Sequence, residues 1–164
     1  MIVEVQVTLK NIRSAAFPQI FLRYDGQGHV LPDGQGLGTA NCQFDAGPWE
    51  AFHIDIVADG SVTIRSNQFP EIYLRMDGRN VSYGLDGGGG LVNGQTNAPG
   101  PYEHFVLVPQ ADGTVAIQSK AFPGIYLRLD GSHVTKFEDA GSGKVNAQIG
   151  IGPWEKFHIV DAAN

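Results

Sequence analysis

A short turn that combines an aromatic ring with a carboxylate occurs three times in this chain. The copies read Gly47-Pro48-Trp49-Glu50-Ala51-Phe52, Gly100-Pro101-Tyr102-Glu103-His104-Phe105 and Gly152-Pro153-Trp154-Glu155-Lys156-Phe157, and their aromatic residues are 53 and 52 positions apart. An aromatic face can pack against the apolar C–H face of a sugar ring, and a nearby carboxylate can accept charge-assisted hydrogen bonds from two hydroxyls. These residue types therefore predict one carbohydrate contact in each copy.

An asparagine in an Asn-x-Gln motif precedes each turn, at Asn41, Asn93 and Asn146. A side-chain amide both donates and accepts hydrogen bonds, so it can fix the orientation of a sugar. If each site bound at about 1 mM, or roughly −4 kcal/mol, two or three together would gain about 10²–10⁴-fold in avidity on a polymer. The predicted carbohydrate contacts are Asn41, Trp49, Glu50, Asn93, Tyr102, Glu103, Asn146, Trp154 and Glu155.

The same residues also have a structural explanation, and the sequence leaves both explanations open. The turn could recur for folding reasons alone, with its aromatic ring covering the rim of the core. Each glutamate could pair with a repeated arginine, and the Asn-x-Gln motif could hydrogen-bond to loop backbone. The repeated arginines are Arg23, Arg75 and Arg128, and the aspartates Asp25, Asp77 and Asp130 offer them salt bridges within the hairpins.

The residue pattern gives no indication of catalysis or of a metal site. Catalytic carboxylates need two distinct environments, whereas the prominent carboxylates here come in three copies, which predicts identical environments. The five histidines lack metal-ligand spacing, and Cys42 aligns with Gly94 and Ala147, which indicates a buried residue and not a reactive thiol. The glycine-rich stretches 34–38 and 141–144 fail the dinucleotide and phosphate-loop patterns. We therefore expect a protein that is not an enzyme and that uses no cofactor or metal.

The residues around the turns predict an all-β chain. The 22 Gly and 9 Pro interrupt the sequence every 8 to 12 residues, which is typical of short strands. A second repeated block begins at Ile12, Ile64 and Ile117, and each later copy matches its predecessor at 10 of 15 positions.

Four strands are predicted in each repeat. Period-two alternation directs Ile20, Leu22 and Tyr24 and their counterparts into the core, and the arginines to the opposite face. The third strand is predicted around Val30, Val81 or Val134, and the fourth is predicted to direct Phe52, Ile54 and Ile56 inward in the first repeat.

The order of these motifs resembles the fascin-like branch of the β-trefoil family. The motifs are Ile-x-Ser, Tyr-Leu-Arg-x-Asp-Gly, Asn-x-Gln and Gly-Pro-Trp-Glu-x-Phe-x-Ile, and they are most similar to trefoil modules of bacterial glycan-degrading enzymes and to some lectins. The resemblance covers nearly the whole chain and implies a six-stranded barrel capped by three hairpins. It implies a single domain, 1–164, with three pseudo-symmetric four-stranded repeats of about 52 residues at approximately 1–60, 61–113 and 114–164. The ricin-type Gln-x-Trp signature is absent, so that family's galactose-site residues are not transferred.

Composition and charge narrow the classes of partner. At 164 residues and 42% hydrophobic, the chain can bury a core as one domain. A net charge of −6 with 11 Lys+Arg argues against nucleic acid and anionic membranes as partners, and no run approaches the roughly 18 apolar residues of a membrane span. The alternating start, residues 1–7, predicts a strand and not a signal peptide. We therefore leave open a cytoplasmic protein, a non-classically secreted one, or a module of a larger secreted protein.

Together these observations predict a non-catalytic carbohydrate-binding module or lectin with up to three sugar sites, one per repeat, whose partner is an oligo- or polysaccharide. The alternative is an actin-binding or other protein-binding trefoil, because fascin-like trefoils also bundle actin. Net charge disfavours actin, since the filament and this chain are both acidic. A trefoil that binds protein through a unique loop would have only the irregular stretch Gly84–Gly90 as an obvious place for it.

Overall fold

The computed structural model describes residues 9–30, 35–82, 87–96 and 99–162, with the backbone alone for 28–30. These residues form twelve β-strands and three single turns of 3₁₀ helix. The strands are β1 (Lys10–Ser14), β2 (Ile20–Val30), β3 (Leu37–Phe44), β4 (Ala51–Ile56), β5 (Val62–Ser66), β6 (Tyr73–Asp77), β7 (Leu91–Gln95), β8 (Phe105–Pro109), β9 (Val115–Ser119), β10 (Ile125–Asp130), β11 (Lys144–Ile149) and β12 (Phe157–Asp161). The described residues contain no α-helix, so the all-β prediction is confirmed.

Six strands close into a barrel. The antiparallel pairs run β1–β4, β4–β5, β5–β8, β8–β9, β9–β12 and β12–β1. Because β12 pairs with β1, with Lys10 opposite Asp161, every barrel strand has a partner on both sides. Closure removes the unpaired sheet edges that would otherwise be open to other chains.

The other six strands form three hairpins, β2–β3, β6–β7 and β10–β11, one in each repeat. A barrel capped by three hairpins is the architecture that the β-trefoil resemblance implied. The predicted alternation along the first strand of each hairpin is confirmed, since its inward residues are buried in all three copies. They are Ile20, Leu22, Tyr24, Ile72, Leu74, Met76, Ile125, Leu127 and Leu129.

The core repeats with the chain. Phe52, Phe105 and Phe157 are fully buried at equivalent places at the start of the last strand of each repeat. Burying one such ring stabilises the fold by about 1.5–3 kcal/mol. Each of these phenylalanines follows the glutamate of a Gly-Pro-aromatic-Glu turn by two positions. It therefore anchors that turn to the core of the barrel.

Two strand predictions are wrong in detail. The third strand of each repeat carries the Asn-x-Gln motif, and Val81 and Val134 lie outside the strands. Val134 is nevertheless buried, because it packs onto the core from a loop. Ile56 is 79% exposed because it ends β4, beside the Asp59-Gly60 turn, where the chain leaves the barrel.

The predicted strand at residues 1–7 lies outside the described residues, as do residues 84–86 of the irregular loop. None of the helical segments in the described part of the chain has the length and hydrophobicity needed to cross a membrane.

Candidate functional site

The three Gly-Pro-aromatic-Glu stretches each fold into one turn of 3₁₀ helix, over Pro48–Glu50, Pro101–Glu103 and Pro153–Glu155. Proline suits the first helical position because its φ is preset and its missing N–H needs no partner there. The glutamate side chain turns back and accepts a hydrogen bond from the backbone N–H of the glycine that begins the stretch. These bonds are Gly47 N–Glu50 Oε1 at 2.6 Å, Gly100 N–Glu103 Oε1 at 2.7 Å and Gly152 N–Glu155 Oε1 at 2.7 Å.

All three glutamates are buried, with Glu50 only 3% exposed. Burial raises the pKa of Glu50 and of Glu155, because the low-dielectric surroundings disfavour the charged carboxylate. The glycine N–H and the neighbouring arginine act in the opposite direction and favour the charge. Each glutamate therefore holds its turn together from the inside.

The repeated arginines are also buried, although alternation correctly places them on the face opposite the barrel core. Arg23 is 2% exposed, and its guanidinium carbon lies 4.6 Å from the centre of the Trp49 ring. The same cation–π contact joins Arg75 to Tyr102 at 5.1 Å and Arg128 to Trp154 at 4.7 Å. Such contacts contribute about 0.5–2 kcal/mol, more when they are desolvated.

Carboxylates compensate the charge of the buried guanidinium groups. Arg23 lies 3.8 Å from Asp25 and 3.9 Å from Glu50, and Arg75 lies 3.8 Å from Asp77. Both pairings that the sequence left open, arginine with aspartate and arginine with glutamate, therefore occur around Arg23.

The edge of each aromatic ring meets a phenylalanine from a Phe-Pro turn of another repeat. Trp49 lies 5.5 Å from Phe69 at an interplanar angle of 78°. Tyr102 packs on Phe122 at 5.1 Å, and Trp154 packs on Phe17 at 5.5 Å. The rings are neither buried nor fully exposed. They cover the rim of the core and still present part of their surface to solvent.

The predicted asparagines hold loops in place. Each side-chain Nδ2 donates to a loop carbonyl of another repeat, and each Oδ1 accepts from the arginine of its own hairpin. The loop bonds are Asn41 to Ala140 at 2.9 Å, Asn93 to Gln35 at 2.8 Å and Asn146 to Gly87 at 2.7 Å. The arginine bonds are Arg23 to Asn41 at 3.2 Å, Arg75 to Asn93 at 3.4 Å and Arg128 to Asn146 at 3.3 Å. The nitrogen and the oxygen of each amide thus each form a hydrogen bond within the protein.

A glycine allows the loop to approach this asparagine closely. Gly141 has φ of +66°, and a Cβ there would lie 2.7 Å from Cδ of Arg23 and 2.9 Å from Oδ1 of Asn41. Both the left-handed backbone and the short distances require glycine. The loop that follows β10 therefore docks against the first repeat.

A pocket opens beside each of the three turns. Each is lined by the same five residue types: the hairpin arginine, the glutamine of Asn-x-Gln, and the proline, aromatic residue and glutamate of the turn. The sets are Arg23, Gln43, Pro48, Trp49 and Glu50; Arg75, Gln95, Pro101, Tyr102 and Glu103; and Arg128, Gln148, Pro153, Trp154 and Glu155. Their volumes are about 180, 470 and 250 Å³ in that order.

A loop from another repeat completes the wall of at least two pockets. Phe137 and Asp139 line the pocket of the first repeat, and Gln35 lines that of the second. We call these the first, second and third pockets, after the repeat that supplies the turn.

The structure thus brings each predicted aromatic residue and glutamate together in one pocket, while the asparagines lie behind the lining residues. Sequence reasoning missed the glutamines, whose threefold repetition is a signal that could have identified them. It also missed Asp139 and Phe137, of which Phe137 has no aromatic counterpart at the equivalent positions of the other repeats. The described residues contain no cluster of His, Cys, Asp and Glu that could hold a metal ion.

No protein-family model and no curated protein matches the sequence. Solved structures do resemble the fold. A mosquitocidal holotoxin matches with a TM-score of 0.72 and 12% identity, over 98% of this chain and 18% of that one. The Rhizoctonia solani agglutinin matches with a TM-score of 0.68 and 13% identity, over 99% and 100% of the two chains.

The C-terminal half of an earthworm R-type lectin, solved in complex with GalNAc, matches with a TM-score of 0.59 and 16% identity, over 94% and 99%. This chain therefore spans under a fifth of the toxin and nearly the whole of the two lectin chains. Together with the closed barrel and its three hairpins, these similarities show that the chain has the β-trefoil fold.

Proposed function

We propose that this protein is a non-catalytic carbohydrate-binding module or lectin with up to three sugar sites, one in each pocket. The observation that carries the proposal is the repetition of the pocket. The same arginine, glutamine, proline, aromatic residue and glutamate surround an open depression in every repeat. Solved structures with the same fold, which include an agglutinin and a lectin in complex with GalNAc, support it.

The exposed part of each aromatic ring is the surface for the apolar face of a sugar. One oxygen of Glu50 is bonded to Gly47 and the other lies 3.9 Å from Nε of Arg23, so this second oxygen is the one with remaining capacity to accept from a sugar hydroxyl. We assign the asparagines a supporting role, because Asn41 already bonds to the carbonyl of Ala140 and to Arg23 and does not line the first pocket.

The size of the pockets suits weak binding at each site and stronger binding to a polymer. At about 180 to 470 Å³ they lie at or below the lower part of the 300–1,000 Å³ range of typical ligand sites. Several weak sites on one rigid barrel would gain affinity by binding one glycan chain together.

The test is a glycan array, followed by titration of the best oligosaccharide into the wild-type protein. Saturation near three ligands per chain is expected, with binding lost stepwise as Trp49, Tyr102 and Trp154 are changed to alanine. Tyr126→Ala is the matched control, because Tyr126 is partly exposed like the three rings and lines none of the pockets. Unchanged binding by a folded triple variant, or no binding to any glycan by the wild type, would overturn the proposal.

A further inference from the structure

Phe137 is unusual among the nine phenylalanines of this chain. It is 61% exposed, whereas the other eight are buried or partly buried. A single exposed apolar side chain needs no functional explanation by itself. The position of Phe137 supplies one, because it lines the first pocket together with Trp49.

The backbone that follows Phe137 is fixed to the first repeat. Gln43 donates to the carbonyl of Glu138 at 2.6 Å and accepts from its N–H at 3.2 Å. Arg23 donates to the carbonyl of Asp139 at 3.3 Å, and Asn41 donates to that of the next residue, Ala140. The ring of Phe137 is thus exposed on an anchored loop, and a ligand would not need to order that loop when it binds.

The other aromatic ring and the other carboxylate of this pocket are less open to a ligand, because each already has contacts within the protein. The ring of Trp49 contacts Arg23 on one face and packs against Phe69, and the buried Glu50 is bonded to Gly47. Asp139 is exposed, and its carboxylate forms no hydrogen bond or ion pair with the described residues. Phe137 and Asp139 are therefore the most exposed aromatic ring and the most exposed carboxylate that line this pocket.

The sequence shows that this combination is peculiar to the first pocket. The carbonyls of Ala140, Gln35 and Gly87 bind the three equivalent asparagines. Counting back three residues from each gives Phe137, Pro32 and Gly84. Only one of the three corresponding positions carries an aromatic side chain.

We propose that Phe137 and Asp139 form the principal sugar contact of the first pocket, which makes this pocket the strongest of the three. Phe137 packs on the apolar face of a neutral sugar, and Asp139 accepts hydrogen bonds from two adjacent hydroxyls on its edge. A free carboxylate disfavours acidic sugars, so the expected ligand is a neutral hexose or an N-acetylhexosamine. This inference rests on the proposed carbohydrate-binding function.

The test follows each pocket separately by NMR titration of the folded chain. The probes are methyl glycosides of glucose, galactose, mannose, N-acetylglucosamine and N-acetylgalactosamine, with glucuronic acid as the acidic comparison. The backbone amides of Asp139, Gln95 and Gln148 report on the first, second and third pockets.

In the wild type, the amide of Asp139 is expected to shift at the lowest concentration of a neutral probe. Phe137→Ala should weaken the affinity reported by this amide about tenfold or more, because the variant loses both the aromatic contact and the apolar area that the ring buries. The responses of the other two amides should not change. Phe137→Trp should restore the response. Asp139→Asn should weaken neutral sugars about 3- to 10-fold and reduce the discrimination against glucuronic acid.

Ile56→Ala is the control for removing an exposed apolar side chain outside the pockets, and it should bind as the wild type does. Wild-type shifts that survive Phe137→Ala with unchanged affinity would overturn this inference and leave the proposed function standing. A wild type whose amides respond to none of the probes, and which binds no glycan on the array, would overturn both.

Discussion

Replacing Glu50 with alanine is expected to destabilise the protein, because this carboxylate is a buried part of the fold. The variant loses the 2.6 Å hydrogen bond from the Gly47 N–H and one carboxylate beside the buried guanidinium of Arg23. A hydrogen bond to a charged group contributes about 1.5–3 kcal/mol, and breaking a buried ion pair costs about 3–5 kcal/mol. Asp25 remains 3.8 Å from Arg23, so the lower end applies. We expect a loss of about 3 kcal/mol in the free energy of unfolding.

Glu50→Gln separates the hydrogen bond from the charge. Glutamine keeps an acceptor for the Gly47 N–H, so the expected loss at neutral pH is about 1 kcal/mol or less. Burial raises the pKa of Glu50 above its ordinary 4.5, so the folded state holds this proton more tightly than the unfolded chain does. The part of its stabilising contribution that depends on pH is therefore fully present below about pH 4.5 and is lost as pH rises through the folded-state pKa, whereas the hydrogen bond from Gly47 remains. The difference in the free energy of unfolding between the wild type and Glu50→Gln should therefore decrease as pH rises from about 4.5 through the folded-state pKa.

The assay is urea denaturation followed by far-UV circular dichroism at about pH 4, 5.5 and 7. For a chain of this size, 3 kcal/mol corresponds to a fall in Tm of about 6–12 °C. Glu138→Ala is the control, because its side chain is exposed and should change stability by no more than about 0.5 kcal/mol. An alanine variant as stable as the wild type, or equal losses in the alanine and glutamine variants, would refute the structural role of this carboxylate.

Two further predictions test the docked loop and the core. Gly141→Ala should lower the free energy of unfolding by about 2 kcal/mol or more, seen as a lower urea midpoint, since φ is +66° and the new Cβ would meet Arg23 and Cys42. Gly60→Ala is its control, because Gly60 also has positive φ but no atom within 4 Å of the added carbon, and equal losses would contradict the steric argument. Cys42 is fully buried and burial raises its pKa to about 12, so a thiol reagent at pH 8 should modify it only in the urea-unfolded protein. Rapid modification of the folded protein would contradict this expectation and would show that the β2–β3 hairpin opens readily.

The features that repeat along the chain could be predicted from the sequence. Strand alternation identified the core of all three hairpins because a period of two records which face a side chain occupies. It does not record what covers that face. Arg23 points away from the barrel core as predicted, yet it is buried, because the ring of Trp49 and a distant loop lie over it. Val134 shows the converse, since the sequence predicted a strand around it, whereas the chain there forms a loop that still buries this side chain in the core.

In the candidate site too, the sequence predicted residues that repeat and missed those that a distant loop supplies. The aromatic residue and glutamate of each turn were identified together because they are neighbours in sequence, and the turn itself brings them to one pocket. Phe137 and Asp139 were missed because the sequence of their loop differs from those of the equivalent loops in the other repeats. Their contact with the first repeat joins positions 116 residues apart, from Arg23 to Asp139. No local pattern in the sequence records such a contact.

The docking of loops on other repeats has a consequence for assembly. The first repeat covers the second, the second covers the third, and the third covers the first, through the bonds of Gln35, Gly87 and Ala140. A peptide of the first repeat or of the second repeat alone therefore lacks residues that line its own pocket, whereas a peptide of the first two repeats contains every lining residue of the second pocket. Three copies of a single repeat arranged about a threefold axis would regain all three, because such head-to-tail contacts close into a ring. In this fold, ligand binding by an isolated repeat would depend on its quaternary structure and hence on its concentration.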